Sequence, residues 1–186
     1  MDIFTEKSRL AMEELAQVFE RMSDAEVRPL LDEIKRTPRI FTVGAGREGL
    51  STRSFAMRLA HLGKASHWIW DDTTPAIGQG NLLIAPCGPG SIGHIDHIIA
   101  RARENGARVA VLSPSQGGTA IEAADILVRV PAAAYHAEGD FVPSRQLMGN
   151  LFEQSLFILY DVLIMVLAEE MGVTPAEMEK RHRNVE

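Results

Sequence analysis

Arg39-Ile40-Phe41-Thr42-Val43-Gly44-Ala45-Gly46-Arg47-Glu48-Gly49 is the stretch on which the fold turns. A short apolar run rich in β-branched and aromatic side chains stops on a glycine. Two more glycines follow, and residues 48–62 then carry helical periodicity. That is a strand, a tight glycine loop and a helix. Glycines there let backbone N–H groups approach an anion at the helix N-terminus. Working outward, Asn81-Leu82-Leu83-Ile84-Ala85, Arg108-Val109-Ala110-Val111-Leu112 and Ile126-Leu127-Val128-Arg129-Val130 repeat the short apolar run, and Ser66-His67-Trp68-Ile69-Trp70 reads as a further strand. Helical stretches such as 92–105 separate them. Buried strands alternating with helices predict a doubly wound, five-stranded parallel sheet in a three-layer α/β sandwich. Ligands on such sheets bind beyond the carboxyl ends of the strands. The loops 44–49 and 87–91 lie there.

The flanks are helical. Residues 2–22 place Ile3, Leu10, Leu15, Val18, Phe19 and Met22 at amphipathic spacing. Ser23-Asp24-Ala25-Glu26 reads as a cap for a second helix, ended by Thr37-Pro38. Residues 132–146 lack periodicity and read as a loop of functional length. A long helix is expected over 147–171, closed by Gly172, and Thr174-Pro175 starts a last short one. The expectation is one domain over 1–186: N-terminal helices (1–37), sheet core (39–131) and C-terminal helices (147–186). The long helix is apolar on every face through Leu156–Met165, so a subunit interface is expected to cover it, in a dimer or tetramer.

Composition narrows the classes. The 186 residues are 46% hydrophobic and 24% charged, with net charge -6, and no basic stripe suggests nucleic acid. One cysteine allows no internal disulfide. The N-terminus lacks the pattern of a signal peptide, and Asp161 interrupts the most apolar run, 156–168, which is short for a membrane span. A cytoplasmic protein without nucleic-acid or membrane partners is the expectation.

Several motifs admit two readings. Glycines at 44, 46 and 49, with Asp71 or Asp72 after the second strand, also fit a dinucleotide fingerprint. His94, Asp96 and His97 are close, but Asp96 faces away from the two histidines on a helix, so no metal is expected. Cys87 reads as a reactive thiol at a helix start or as a small buried packer. Trp68 and Trp70, alternating in a strand, would face the core on one side and a helix layer or partner on the other.

Gly44-Ala45-Gly46-Arg47, Phe55-Ala56-Met57-Arg58-Leu59, His61-Leu62-Gly63 and Thr74-Pro75-Ala76-Ile77 resemble the signature of the 6-phospho-3-hexuloisomerases, within the SIS (sugar isomerase) family. Gly149, Leu151-Phe152-Glu153, Glu179, Arg181-His182, Asn184 and Glu186 extend the likeness from about residue 39 to the end. The resemblance implies an SIS fold and a metal-free, cofactor-free, tetrameric enzyme that interconverts a phosphorylated 3-ketohexose with fructose 6-phosphate. It implies Glu153 as the base that moves a proton between adjacent carbons through an enediol. It also implies His182 as the ring-opening group, near a subunit boundary, and Arg47 as a contact to substrate oxygens.

One loop departs from that family. Its phosphate loop reads Ser-Gly-Ser-Gly-Glu-Thr, where this chain has Cys87-Gly88-Pro89-Gly90-Ser91-Ile92, and its serine after the arginine is Glu48 here. Pro89 removes a backbone donor. A carboxylate facing a phosphate dianion is repelled by roughly 1–4 kcal/mol near a surface. All these changes weaken phosphate recognition. Either the loop is shifted, with Ser91 and Ser113 compensating, or the substrate lacks the phosphate and Glu48 accepts hydrogen bonds from sugar hydroxyls. The expected sugar site comprises Gly46, Arg47, Glu48, Cys87, Gly88, Gly90 and Ser91. The other function class is a non-catalytic sugar-binding sensor, which would need neither Glu153 nor His182.

Overall fold

The computed structural model describes residues 2–185. The order is α1 (Ile3–Glu20), α2 (Asp24–Arg36), β1 (Arg39–Thr42), α3 (Gly46–Leu62), β2 (Ala65–Trp68), β3 (Asn81–Pro86), α4 (Gly93–Glu104), β4 (Arg108–Ser113), α5 (Thr119–Glu122), β5 (Ile126–Arg129), α6 (Asn150–Met171) and α7 (Pro175–Lys180). All strands pair in parallel, in the order β2-β1-β3-β4-β5.

Period-two alternation divides the core in two. Ile40, Leu82, Ile84, Ala110 and Leu112 face α1, α2, α3 and α6, whereas Phe41, Leu83, Ala85, Val109 and Val111 face α4 and α5. Three layers result, because each central strand is apolar on both faces.

Local signals account for the helix ends. Asp2 accepts the Thr5 N–H at 2.9 Å, and Ser23 with Glu26 forms a reciprocal capping box. Gly63 and Gly172 end α3 and α6 in the left-handed region (φ 102° and 65°).

Two expectations are corrected. β2 stops at Trp68, so Trp70 is not part of an alternating strand pair; it lies in the following turn, 55% exposed. The long helix begins at Asn150, and Leu147 and Met148 are exposed in the preceding loop, with Met148 at φ 55°. At 22 residues α6 is long and apolar enough to cross a membrane, but half of that stretch is buried in the domain. Its uncovered stripe is Phe157, Ile158, Val162 and Met165.

The 132–149 segment is irregular yet anchored. Ala132 bridges Val142. The buried Glu14 carboxylate accepts from Ser144 Oγ (2.7 Å), Arg145 N (2.8 Å) and Gln146 Nε2 (3.0 Å). Burial opposes its ionised form, but these donors together hold the carboxyl below its ordinary range.

Candidate active site

The strand order reverses between β1 and β3, and the crevice at their carboxyl ends is where such sheets bind ligands. Two loops meet there. Gly44 and Gly49 touch: a Cβ on Gly49 would lie 2.5 Å from the Gly44 carbonyl oxygen. This close approach brings the first turn of α3, with Arg47 and Glu48, over the end of β1. The order also differs from the 3-2-1-4-5-6 sheet of dinucleotide enzymes, and Asp71 is engaged by Arg53 at 3.3 Å.

Glu48 reaches across the switch point to β3. The Gly88 N–H donates to both its carboxyl oxygens, at 3.2 and 3.3 Å. A Cβ at Gly88 would lie 2.7 Å from Glu48 Oε1 and 3.0 Å from Ala134 Cβ, so any larger residue there would push the Glu48 carboxyl aside. Burial pushes the Glu48 carboxyl up to about 7; the Gly88 N–H opposes this and the charge of Glu153 adds to it. A consequence for stability follows. Between the ordinary carboxyl range and about 7 the folded chain holds a proton that the unfolded chain has released, so stability falls as pH rises through this window. Partial solvent exposure keeps the loss below about 3 kcal/mol. Thermal melts from pH 4.5 to 8 should show this decline in the wild type and a flatter profile in Glu48→Gln.

Glu153 stands in the first turn of α6, its side chain 18% exposed, with Oε2 2.8 Å from Arg47 Nη1. This is an ion pair by distance, although among the described residues Oε2 has no hydrogen-bond partner of good geometry. Arg47 also donates to Asn150 Oδ1. Arg47, Ser51, Glu153, Gln154 and two apolar neighbours line an open pocket of about 220 Å³.

The loop after β3 is internally satisfied. The Gly90 N–H closes a turn on the Cys87 carbonyl (3.1 Å). Ser91 Oγ donates to Asp96 Oδ2 (2.5 Å), and the Ile92 N–H points to Asp96 Oδ1 (3.3 Å). Ser113 and Ser115 hydroxyls both donate to the Gly88 carbonyl, at 3.4 and 2.8 Å. Neither Ser91 nor Ser113 is therefore turned outward to compensate for the lost family hydroxyls. Asp96, weighed above as a metal ligand, instead caps α4. The Cys87 side chain is fully buried, which corrects its reading as a substrate contact: only its backbone borders the loop. Burial, with the Glu48 and Asp96 charges, pushes its thiol up to about 12, so it is a packer and not a nucleophile.

The structure thus brings Arg47, Glu48, Gly88 and Glu153 together, with Gly46 exposed at the mouth and Gly90 and Ser91 on the adjoining turn. His182 is elsewhere. Its ring packs on His61 at 5.1 Å between centroids, and Arg181 donates to the His61 carbonyl. His61 is thirteen residues beyond Glu48 on α3, about 20 Å along the helix. Within one chain His182 and Glu153 are at opposite ends of α3.

Sequence reasoning passed over Asn150 and the capping role of Asp96. Asn150 precedes Glu153 by three positions, which puts both on one helix face. Asp96 falls in the first turn of its helix, where an acid satisfies free N–H groups.

No established family model matches the chain. The 3-hexulose-6-phosphate isomerase of Bacillus subtilis (strain 168) is 35% identical over 165 residues, covering 89% of each chain. The enzyme of the same name from Mycobacterium gastri is 35% identical over 185 residues, covering 100% of this chain and 92% of its own. The chain belongs to the SIS family, beside the 6-phospho-3-hexuloisomerases. A hypothetical protein of Methanococcus jannaschii, whose 2.0 Å crystal structure was taken to infer a 3-hexulose-6-phosphate isomerase function, superposes with TM-score 0.81. It is 26% identical, with 97% of this chain and 99% of that one covered. Within this SIS chain, Glu48 and Gly88 join the first turn of α3 to the loop after β3.

Proposed function

We propose that the chain is a sugar isomerase that moves a carbonyl between adjacent carbons of a hexulose, with Glu153 as the proton shuttle. The carrying observation is Glu153 itself, paired with Arg47 but, among the described residues, with no hydrogen-bond partner of good geometry for Oε2, at the switch-point crevice. A carboxylate there takes the proton from the carbon beside the carbonyl, leaves an enediol, and returns the proton to the former carbonyl carbon. Arg47 stabilises the negative charge that builds on the enediol oxygens. Relatives named 3-hexulose-6-phosphate isomerase support the reaction class. The reading assigns no step to a metal or cofactor and takes the enzyme to be cytoplasmic.

The altered loop supports a finer reading, that the substrate is not held by a phosphate. The Gly88 and Gly90 amides and the Ser91 hydroxyl already have protein acceptors, two of them carboxyl groups. A phosphate dianion would have to displace Glu48 and face its charge. Calorimetry with sugars offered with and without phosphate tests this. Binding of the free sugar supports the reading. Tight retention of the phosphosugar alone, with Glu48 intact, overturns it.

Oligomerisation belongs to the same proposal. His182 packs on His61 near the C-terminal end of α3, whereas its own Glu153 pairs with Arg47 at the N-terminal end, so as a ring-opening group it would serve a neighbouring subunit's site. The stripe Phe157, Ile158, Val162 and Met165 is the face such a neighbour would cover. Sedimentation should find a dimer or tetramer, and Met165→Arg should shift it to smaller species with at least a ten-fold loss of activity.

A further inference from the structure

Among the described residues, the hydrogen bonds to the Glu48 carboxyl come from the Gly88 N–H alone. A glutamine would accept that bond without the cost of a buried carboxyl. An acid retained in a crevice at that cost is a candidate for chemistry. Its position fits. Glu48 and Glu153 occupy the first turns of α3 and α6, whose N-terminal ends meet at Gly88. A Cβ built on Gly88 would touch both Glu48 Oε1 (2.7 Å) and Phe152 (3.3 Å), the residue before Glu153. The Glu48 carboxyl feels the charge of Glu153. Their partners differ: Glu153 has the Arg47 guanidinium, and Glu48 has a neutral amide. Two carboxyls in one crevice with such unlike surroundings divide into an acid and a base.

We infer that Glu48 is a second acid–base group of the reaction, moving a proton between the two substrate oxygens while Glu153 moves the one between the two carbons. This rests on the isomerase reading. In the first half-reaction Glu153 removes the carbon-bound proton, and the Glu48 carboxylic acid gives its proton to the carbonyl oxygen. The product is a neutral enediol, with Glu153 protonated and Glu48 ionised. In the second half, Glu48 takes the proton of the other enediol hydroxyl as that oxygen becomes the carbonyl. Glu153 returns its proton to the neighbouring carbon. Both carboxyls end as they began, and no electron leaves the substrate.

The groups facing Glu48 allow this. Arg47 precedes it on α3, Glu153 and Tyr160 come from α6, and the Thr52 hydroxyl, bonded to that of Tyr160, donates to the Glu48 main-chain carbonyl and leaves the carboxyl free of it. From the β3 loop come the Gly88 N–H and the buried Cys87 thiol. Burial favours the protonated acid near neutrality, so activity should fall as pH rises through about 7.

The test is a steady-state pH profile of wild type, Glu48→Gln and Glu48→Asp on the turned-over sugar, with thermal melts to confirm folding. The expected result for Glu48→Gln is a kcat roughly 10²–10⁴-fold lower, KM within a few-fold, and loss of the alkaline limb, with partial recovery in Glu48→Asp. A folded Glu48→Gln with wild-type kcat and an unchanged profile overturns the assignment, as does a rise in KM alone, and both leave the isomerase reading standing. A wild type that turns over no sugar, phosphorylated or free, removes the isomerase reading and this assignment with it.

Discussion

Glu153→Gln is expected to lower kcat by roughly 10²–10⁴-fold while ligand affinity stays within a few-fold. Glutamine is isosteric and still offers an oxygen to Arg47, so the pocket of about 220 Å³ keeps its shape. What it loses is the ability to take up and return a proton. The α6 helix should be unaffected, because its packing rests on Leu151, Phe152, Leu156 and Leu159 on the buried face. Isothermal calorimetry and turnover on the same preparation separate the two quantities. A variant that binds and still turns over at the wild-type rate would remove Glu153 from the chemistry. A non-catalytic sensor would give binding in both proteins and turnover in neither.

The largest effect on stability is expected at Gly90→Ala. Gly90 has φ 81°, a region where a Cβ costs about 1–2 kcal/mol in any surroundings. Here the surroundings add more, since the new Cβ would lie 2.1 Å from the Gly117 carbonyl oxygen. That oxygen belongs to backbone held on the same side by Gly118, whose own Cβ position is 2.3 Å from the Gly90 carbonyl. The Gly90 carbonyl also accepts the Ala120 N–H at 3.0 Å, so moving the loop away breaks the start of α5. Strain and clash together should cost about 2–5 kcal/mol, read as a lower midpoint in urea. Gly46→Ala is the control. It shares a positive φ of 53°, but nothing lies within 4 Å of its Cβ position, so only the conformational cost of about 1–2 kcal/mol applies. Equal losses in the two variants would contradict the packing argument.

Much of the fold was legible because its signals are local. Short continuous apolar runs mark β3 and β4, a capping box marks α2, and Gly63 and Gly172 are left-handed ends of helices. What failed was local in appearance only. Ser66-His67-Trp68-Ile69-Trp70 alternates like a strand, yet the pairing of β2 with β1 ends at Trp68, opposite Thr42. β1 itself ends there, and an edge strand has no second partner to extend it. The start of α6 was misread by three residues because Leu147 and Met148 continue its apolar character, whereas Asn150 follows Gly149, whose Cβ position is crowded by the Tyr135 backbone.

The site was half legible. Arg47, Glu48 and Gly88 come from the two loops and Glu153 from the family resemblance, and they meet. That Glu48 bonds to Gly88 depends on a contact across forty residues, which no spacing reveals. The engagement of Ser91 by Asp96 had a signal, an acid in the first helical turn, that competed with a metal reading. His182 packs on His61, and its separation from Arg47 and Glu153 follows only from the length of α3.

The central claim is that Glu153 moves a carbon-bound proton. The most direct measurement is proton NMR in deuterated water, with hexuloses offered as free sugars and as 6-phosphates to wild type and Glu153→Gln. The account predicts that wild type replaces a proton on the carbon beside the carbonyl with deuterium as the isomer forms, and that Glu153→Gln does neither. Isomer formation that continues in Glu153→Gln, or no exchange and no isomer from any sugar in the wild type, would contradict it.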